Sequence, residues 1–353
     1  MSDVSAREIR VMLQARYSFT TPVFTPLNPT RADKHPGSFV IWTAGAAAGG
    51  FNEYSPRGPA TSGDIIDLCA YVHGREGDRR FALAFARDFL NLKQMDPAAL
   101  AAAKRQARTV AAQAATQQSD AAKAKILRAN EIWNKTVPLA GSLGEIYYAS
   151  RRIPLQLIKN REDDLRFMPR LEHWKSAKWE KVDGVLRKTE EGPRLPAIVA
   201  ALRNLAGDIT AVHCTFLRAD GSGKADVSEA KLMRGIAKGS AVWLARGPSD
   251  APMAEAIKTG EASPLIVSEG IENGLSVAFA CPEARVAAAG SFDLMMALDV
   301  TREIFDPVIY ALDNDNNPKA DETIADRLDE LRALGKRATT MRASGAKDFN
   351  DVL

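Results

Sequence analysis

The chain has 353 residues, with 47 Lys and Arg against 44 Asp and Glu, 46% hydrophobic residues, three Cys and four His. That length can bury two or three cores, and the composition is that of globular chains, which excludes wholesale disorder. Three scattered cysteines (Cys69, Cys214, Cys281) exclude a disulfide framework and a Cys-rich zinc cage. No apolar run reaches the roughly 18 residues of a membrane span, and residues 1–20 lack an apolar signal core. The expectation is a soluble, multi-domain protein of a reducing compartment, with no membrane partner.

The net charge of +3 hides an asymmetry. Residues 269–353 hold nine Lys and Arg against sixteen Asp and Glu, a net of −7, so the remainder carries +10. A basic body joined to an acidic end suits a polyanion-binding surface beside a carboxylate cluster that holds a metal.

In chain order, residues 1–93 read as a compact mixed region. Ser38–Trp42 is a short strand, Asp64 is placed to cap a helix running to Val72, and a second helix spans Asp78 to Leu92. From Asp96-Pro97 to Lys135 the chain is Ala-rich, with no Gly and no further Pro. Residues 98–135 carry seven Lys and Arg against two Asp and Glu. This predicts one long basic helix over 94–138 linking two domains, either continuous or broken near Ser119-Asp120, serving either as a solvated spacer or as a nucleic-acid contact.

Residues 139–255 are richer in β-formers, with strands over 195–202 and 209–217 around a turn at Asn204–Asp208. Asp220-Gly-Ser-Gly-Lys224 is Gly-rich but lacks the first Gly and the Ser or Thr of a phosphate-binding P-loop, so it is a plain turn. From 256 onwards, strands at 264–268, 285–289, 307–312 and 336–341 alternate with helices. That alternation implies a parallel sheet with right-handed crossovers and a ligand site at the carboxyl ends of its strands.

Acidic residues gather at those ends. Glu269 follows the first of these strands, and Glu272 lies three residues on. Asp313 and Asp315 follow the third, and their two-residue spacing points both the same way. Oxygen-only ligands select hard cations, Mg²⁺ or Mn²⁺. Such a site can polarise a phosphoryl oxygen, activate a 3′-hydroxyl and neutralise a leaving pyrophosphate. On the basic side, Arg151, Arg152, Lys224, Lys231 and Arg234 are candidate contacts to template or nucleotide phosphates. Trp133, Trp174, Trp179 and Trp243 are read as packing residues before base-stacking ones, and His213 as a packed strand histidine before a catalyst.

Leu-Ile-Val-Ser-Glu269-Gly-Ile-Glu272-Asn-Gly followed by Ala-Leu-Asp313-Asn-Asp315 resembles the Toprim domain shared by DnaG-like primases, type IA and II topoisomerases and some nucleases. The resemblance implies Glu269 as general acid/base or metal-associated acid, Asp313 and Asp315 as metal ligands, and Glu272 as a secondary acid. Gly345-Ala-Lys347-Asp348-Phe-Asn-Asp351 resembles the Lys-Asp-x-x-Asp segment of primases. It implies Lys347 against phosphate and Asp348 beside the metal; Asp351 is also readable as a solvated residue. Upstream, Pro36-Gly-Ser-Phe39, Phe51-Asn-Glu-Tyr54 and Ser62-Gly-Asp-Ile-Ile-Asp67 resemble the primase zinc-ribbon region. Pro196-Ala-Ile-Val, Val212–Leu217 and Gly223-Lys224 resemble the segment before Toprim in phage and plasmid primases.

The fold class implied is α/β: a C-terminal Toprim domain (256–353), a mixed α+β basic domain (139–255) and a small zinc-ribbon-like domain (1–93). Residues 20–62 hold no Cys and only His35, so no zinc is expected, and the ribbon would be held by Phe39, Trp42, Phe51 and Tyr54. The expected function is a cytoplasmic DNA primase in a bacterial host, serving a phage, plasmid or other mobile element. It would use a single-stranded DNA template and NTPs or dNTPs, with a separate replicative helicase as partner. A Toprim nuclease and a non-catalytic single-stranded-DNA-binding replication or mobilisation factor are the alternatives.

Overall fold

The computed structural model describes residues 23–353 apart from 33, 44–47, 55–60, 91–96, 160, 183–184 and 316. Asp96, expected to start the long helix, lies outside the described residues. The chain divides into two compact units, Met1–Gln113 and Ala114–Leu353.

In the first unit β1 (Val23–Phe24), β2 (Phe39–Trp42), β3 (Phe51–Glu53) and β4 (Thr61–Gly63) form an antiparallel sheet in sequence order. Helices α1 (Ile65–Val72) and α2 (Arg79–Phe89) follow. Asp64 caps α1 as expected: its carboxylate accepts from the Ile66 and Asp67 amides, and the Asp67 side chain reaches back to the Asp64 N–H. The core is aromatic, with Tyr71 of α1 stacked 5.3 Å from Phe39 and tilted 5.0 Å from Phe51. Tyr54 is no part of it, being 57% exposed. Strand alternation turns Phe51 and Glu53 inward and leaves Tyr54 outside. The buried Glu53 carboxylate is held by Arg31 at 3.1 Å and by the Asn28 amide.

Helix α3 (Pro97–Trp133) is continuous through Ser119-Asp120. Neither residue is a Gly or Pro, and the Ala-rich flanks carry the helix across. The boundary between the two units falls within it.

The second unit holds two sheets. After β5 (Val137–Pro138), α4 (Leu143–Ser150) and α5 (Arg161–Asp164), β6 (Leu165–Glu172) leads into the hairpin β7 (Lys178–Val182) and β8 (Val185–Glu190). Then come β9 (Arg194–Arg203), β10 (Ile209–Phe216) and β11 (Lys231–Gly235). The order β11-β10-β9-β6-β5 is antiparallel throughout. The turn between β9 and β10 forms where expected: Asn204 Oδ1 accepts the Asp208 N–H at 2.9 Å, and Gly207 takes a φ of 91°. Residues 220–224 also form a plain turn, closed by the Arg218 N–H on the Gly223 carbonyl at 2.9 Å.

The second sheet contains β12 (Val242–Arg246), β13 (Ser263–Ser268), β14 (Arg285–Ala288), β15 (Phe305–Leu312) and β16 (Ala338–Arg342). Helices α6 (Met253–Thr259), α7 (Ile271–Ala280), α8 (Phe292–Met296) and α9 (Pro318–Ala333) fall between these strands in sequence. Its order is β12-β14-β13-β15-β16; only β12 is antiparallel to its neighbour. This sheet takes β12 from upstream of position 256, so it begins earlier than the sequence boundary placed it. The buried run Val242-Trp243-Leu244 fits an edge strand of either sheet, and register with β14 decides it.

The two sheets join rather than merely adjoin. Arg203 of β9 exchanges backbone hydrogen bonds of 2.8 and 3.1 Å with Ala241. Buried Asp164 accepts from Arg203 Nε at 2.5 Å and from the Trp243 N–H at 3.1 Å. One apolar core continues from Leu139, Tyr147 and Ile198 into Leu244, Ile266 and Leu275. Helix α7 lies directly on its sheet because position 274 is glycine. A Cβ there would stand 2.6 Å from Leu244 Cδ1 and 2.7 Å from Ser268 Oγ. Among the described residues, no helix is long and apolar enough to cross a membrane.

Candidate functional site

The acidic cluster forms because β13 and β15 are parallel neighbours, with Ser268 opposite Ala311. The residues following both strands therefore emerge at the same edge: Glu269 from one, Asp313 and Asp315 from the other. All three line a cavity of about 80 Å³ with Asp321, Arg342 and Phe292. That is room for a cation and several waters.

Burial, then the charges of Asp313 and Asp315, raise the pKa of Glu269. Burial, then Asp348 and Asp315, raise that of Asp313. These carboxylates oppose one another's ionisation, and a hard divalent cation would relieve that opposition. The oxygen-only donor set therefore fits Mg²⁺ or Mn²⁺. Among the described residues, no three His, Cys, Asp or Glu side chains stand close enough to ligate an ion. Ligation at this cluster would require side-chain rotation.

One residue that holds these carboxylates carries no charge that would mark it in the sequence. Asn273 of α7 donates to Asp313 Oδ1 at 2.6 Å, and its own carbonyl oxygen accepts the Asn350 N–H at 3.1 Å. Buried Asn350 in turn donates to the Arg151 carbonyl at 2.9 Å, tying residues near the end of the chain to α4. Asn314 donates to the carbonyls of Ala343 and Ala346, both at 2.7 Å. Arg342 donates to the Asp313 carbonyl and to Asp321 Oδ1. Lys347 Nζ stands 3.7 Å from Asp315, and Asp348 accepts the Asp351 N–H at 3.0 Å. Asp351 is itself exposed.

Glu272 does not line the acidic cavity. Its carboxylate accepts from Tyr147 at 3.0 Å and pairs with Lys224 at 3.3 Å and Lys231 at 3.0 Å. Burial alone would raise its pKa, but the two ammonium groups prevail and hold it at about 2. The expected secondary acid is instead the charged joint between α7 and the first sheet. Lys224 and Lys231, expected on phosphates, are engaged with it while remaining partly exposed. Helix geometry is the reason: a residue three positions after Glu269, on the first turn of α7, faces the neighbouring sheet. His213 of β10 is a buried neutral residue held at about 4 by burial and then Lys231, and its Nδ1 has no hydrogen-bond partner.

Arg234 belongs to a separate groove. Its guanidinium lies 4.3 Å from the centroid of the Trp174 ring. Around it a cavity of about 410 Å³ is lined by Arg128, Lys135, Arg170 and Arg194, with Glu131 and Glu172. Arg151 and Arg152 are exposed after α4 and are not among the residues lining this groove. Of the tryptophans, Trp133 and Trp243 are buried and Trp179 is 50% exposed on β7.

Two family matches cover this unit: a domain of unknown function (DUF7146) over residues 123–244 and the Toprim domain over residues 264–353. No curated protein matches the sequence significantly. Among solved structures, the chain is similar to the Aquifex aeolicus primase (zinc-binding and RNA polymerase domains), at 12% identity and TM-score 0.41, over 97% of this chain and 78% of that one. It is also similar to a DNA primase domain from Pseudomonas aeruginosa, at 13% identity and TM-score 0.41, over 64% and 73% of the two chains. The primase fragment of the bacteriophage T7 primase-helicase matches at 16% identity and TM-score 0.31, over 50% and 62%. The mostly parallel sheet, its flanking helices and the match over 264–353 lead to one assignment: the C-terminal part of this chain is a Toprim domain.

Proposed function

We propose that this protein is a DNA primase that joins nucleotides into short primers on single-stranded DNA by metal-dependent nucleotidyl transfer. The observation that carries the reading is the meeting of Glu269, Asp313 and Asp315 at one edge of a Toprim sheet, with Asp348 close enough to perturb Asp313. Asp313, Asp315 and Asp348, with Glu269, would hold Mg²⁺ or Mn²⁺. When bound, the ion supplies charge neutralisation for the triphosphate and makes the attacking hydroxyl more acidic.

Glu269 takes the proton of the attacking 3′-hydroxyl as general base, while that oxygen bonds to the α-phosphorus and pyrophosphate leaves. Asn273 donates to Asp313 at 2.6 Å and steadies its carboxylate. Lys347, beside Asp315, is placed to meet the outer phosphates. The groove around Arg234 and Trp174 takes the template, with guanidinium groups on the phosphates and the tryptophan available for stacking. The setting would be a phage, plasmid or mobile-element replication system in a bacterial cytoplasm, with unwinding left to a separate helicase.

The test is incubation with single-stranded template, Mg²⁺ or Mn²⁺ and labelled NTPs or dNTPs. Short labelled products support the reading. Template shortening without nucleotide incorporation would instead identify a nuclease. Binding with neither activity would identify a non-catalytic single-strand-binding factor.

A further inference from the structure

At the opposite end of the same sheet lies a second charged cavity that the proposed reaction does not use. It has a volume of about 290 Å³ and is lined by Arg203, Arg246, Arg285 and Trp243, with Asp163 and Asp164. Its position follows from strand direction. Arg285 opens β14 and Arg246 closes the antiparallel β12, so both lie at the amino end of the parallel strands. Glu269 follows the carboxyl end of β13.

The charges in this cavity do not balance. Arg203 is satisfied, donating to Asp164 at 2.5 Å and to the carbonyls of Gly207 and Asp163. Arg246 has one carboxylate, Asp163, at 2.5 Å. Arg285 is only 2% exposed and has no ion-pair partner among the described residues. It donates to the Ala251 carbonyl at 2.9 Å and to Ser249 Oγ at 3.2 Å, both neutral, and its buried Nε has no partner at all. Arg285 and Arg246 are also direct cross-strand partners, the arrangement in which like charges destabilise a sheet. Among the acids around it, Glu261 pulls weakly on Arg285, while Asp163 and Asp164 are taken up by the other two arginines. A buried cation is costly unless something negative reaches it.

We infer that this cavity is an anion site that takes a phosphoryl group between Arg246 and Arg285. The guanidinium fork suits two oxygens of one phosphate, and the cavity has room for pyrophosphate or for the phosphates of a nucleotide. The site lies at the far end of the sheet from Glu269 and stands whether or not the protein makes primers.

Titration calorimetry of the full chain in EDTA tests it, because chelation removes cation-dependent binding at the carboxylates. Pyrophosphate should bind and raise the melting temperature. R246Q and R285M should each weaken the affinity at least tenfold, and D313A/D315A should leave it unchanged. Should R285M fail to fold, R246Q, whose side chain is partly exposed, carries the comparison. Orthophosphate, pyrophosphate and a nucleoside triphosphate are compared in turn. Equal affinity for the last two assigns free phosphate chemistry, and tighter nucleotide binding assigns a nucleotide phosphate. Absent binding, unchanged affinity in R246Q, or loss of affinity in D313A/D315A would overturn the inference.

Discussion

The Glu272 joint allows a quantitative test of how the two sheets of the second unit are held together. Substituting Glu272→Gln keeps the size and one acceptor oxygen, removes the charge, and turns the second oxygen into an NH2 donor. In the folded protein this carboxyl sits at about 2 against an ordinary 4.5, held down by Lys231 and Lys224 against the pull of burial. At about 1.4 kcal/mol per pKa unit, the ionised form contributes about 3 kcal/mol at neutral pH. The sign follows from linkage: a depressed carboxyl pKa gives stability that is complete above the unfolded value and lost as the pH falls through the folded one. E272Q should therefore be less stable than the parent by about 3 kcal/mol at pH 7, by about 2 kcal/mol at pH 3.5, and by progressively less below that. Urea unfolding at both pH values measures the difference. A gap below about 0.5 kcal/mol at pH 7, or one that widens in acid, would refute the reasoning.

Other consequences can be checked in the same way. His213, depressed to about 4 by burial and then Lys231, leaves the folded state under-protonated relative to the unfolded one between pH 6.5 and 4. Stability should fall across that window by up to about 3 kcal/mol, and H213L should flatten the slope; an unchanged slope would contradict the buried neutral assignment. N350A should cost about 1–3 kcal/mol in thermal or urea unfolding, because the Arg151 carbonyl and Ser276 Oγ lose the side-chain amide while the backbone N–H to Asn273 remains, and single-stranded DNA affinity should stay as it was. G274A places a Cβ 2.6 Å from Leu244 Cδ1 and should cost about 1–3 kcal/mol through displacement of α7, read as a lowered melting temperature.

What the sequence made legible tracks how local the physics is. The C-terminal strands were readable because runs such as Leu265-Ile-Val267 and Val286-Ala-Ala288 are buried on both faces. Asp313 and Asp315 were readable because they directly follow the strand run Val308–Leu312 at its carboxyl end, where both line the acidic cavity. Glu272 was not, because its partners are 41 and 125 residues away, on a strand and a helix whose placement only the packed fold supplies. Asn273, Asn314 and Asn350 were missed for another reason: uncharged amides draw no attention until their hydrogen bonds are visible. The allegiance of β12 depended on pairing register with β14, which composition does not encode. In the first unit, Phe39 and Phe51 were recognised, whereas Tyr71 replaced Tyr54 because side-chain alternation along β3 puts position 54 outside.

If the carboxylates at the ends of β13 and β15 perform nucleotidyl transfer, primer synthesis depends on Asp313 and Asp315. Primer synthesis by the parent protein and by D313A/D315A, matched for melting temperature and for single-stranded DNA affinity, tests it most directly. Short products from the parent that disappear in the variant are the predicted result. Products of equal yield from both proteins would contradict it.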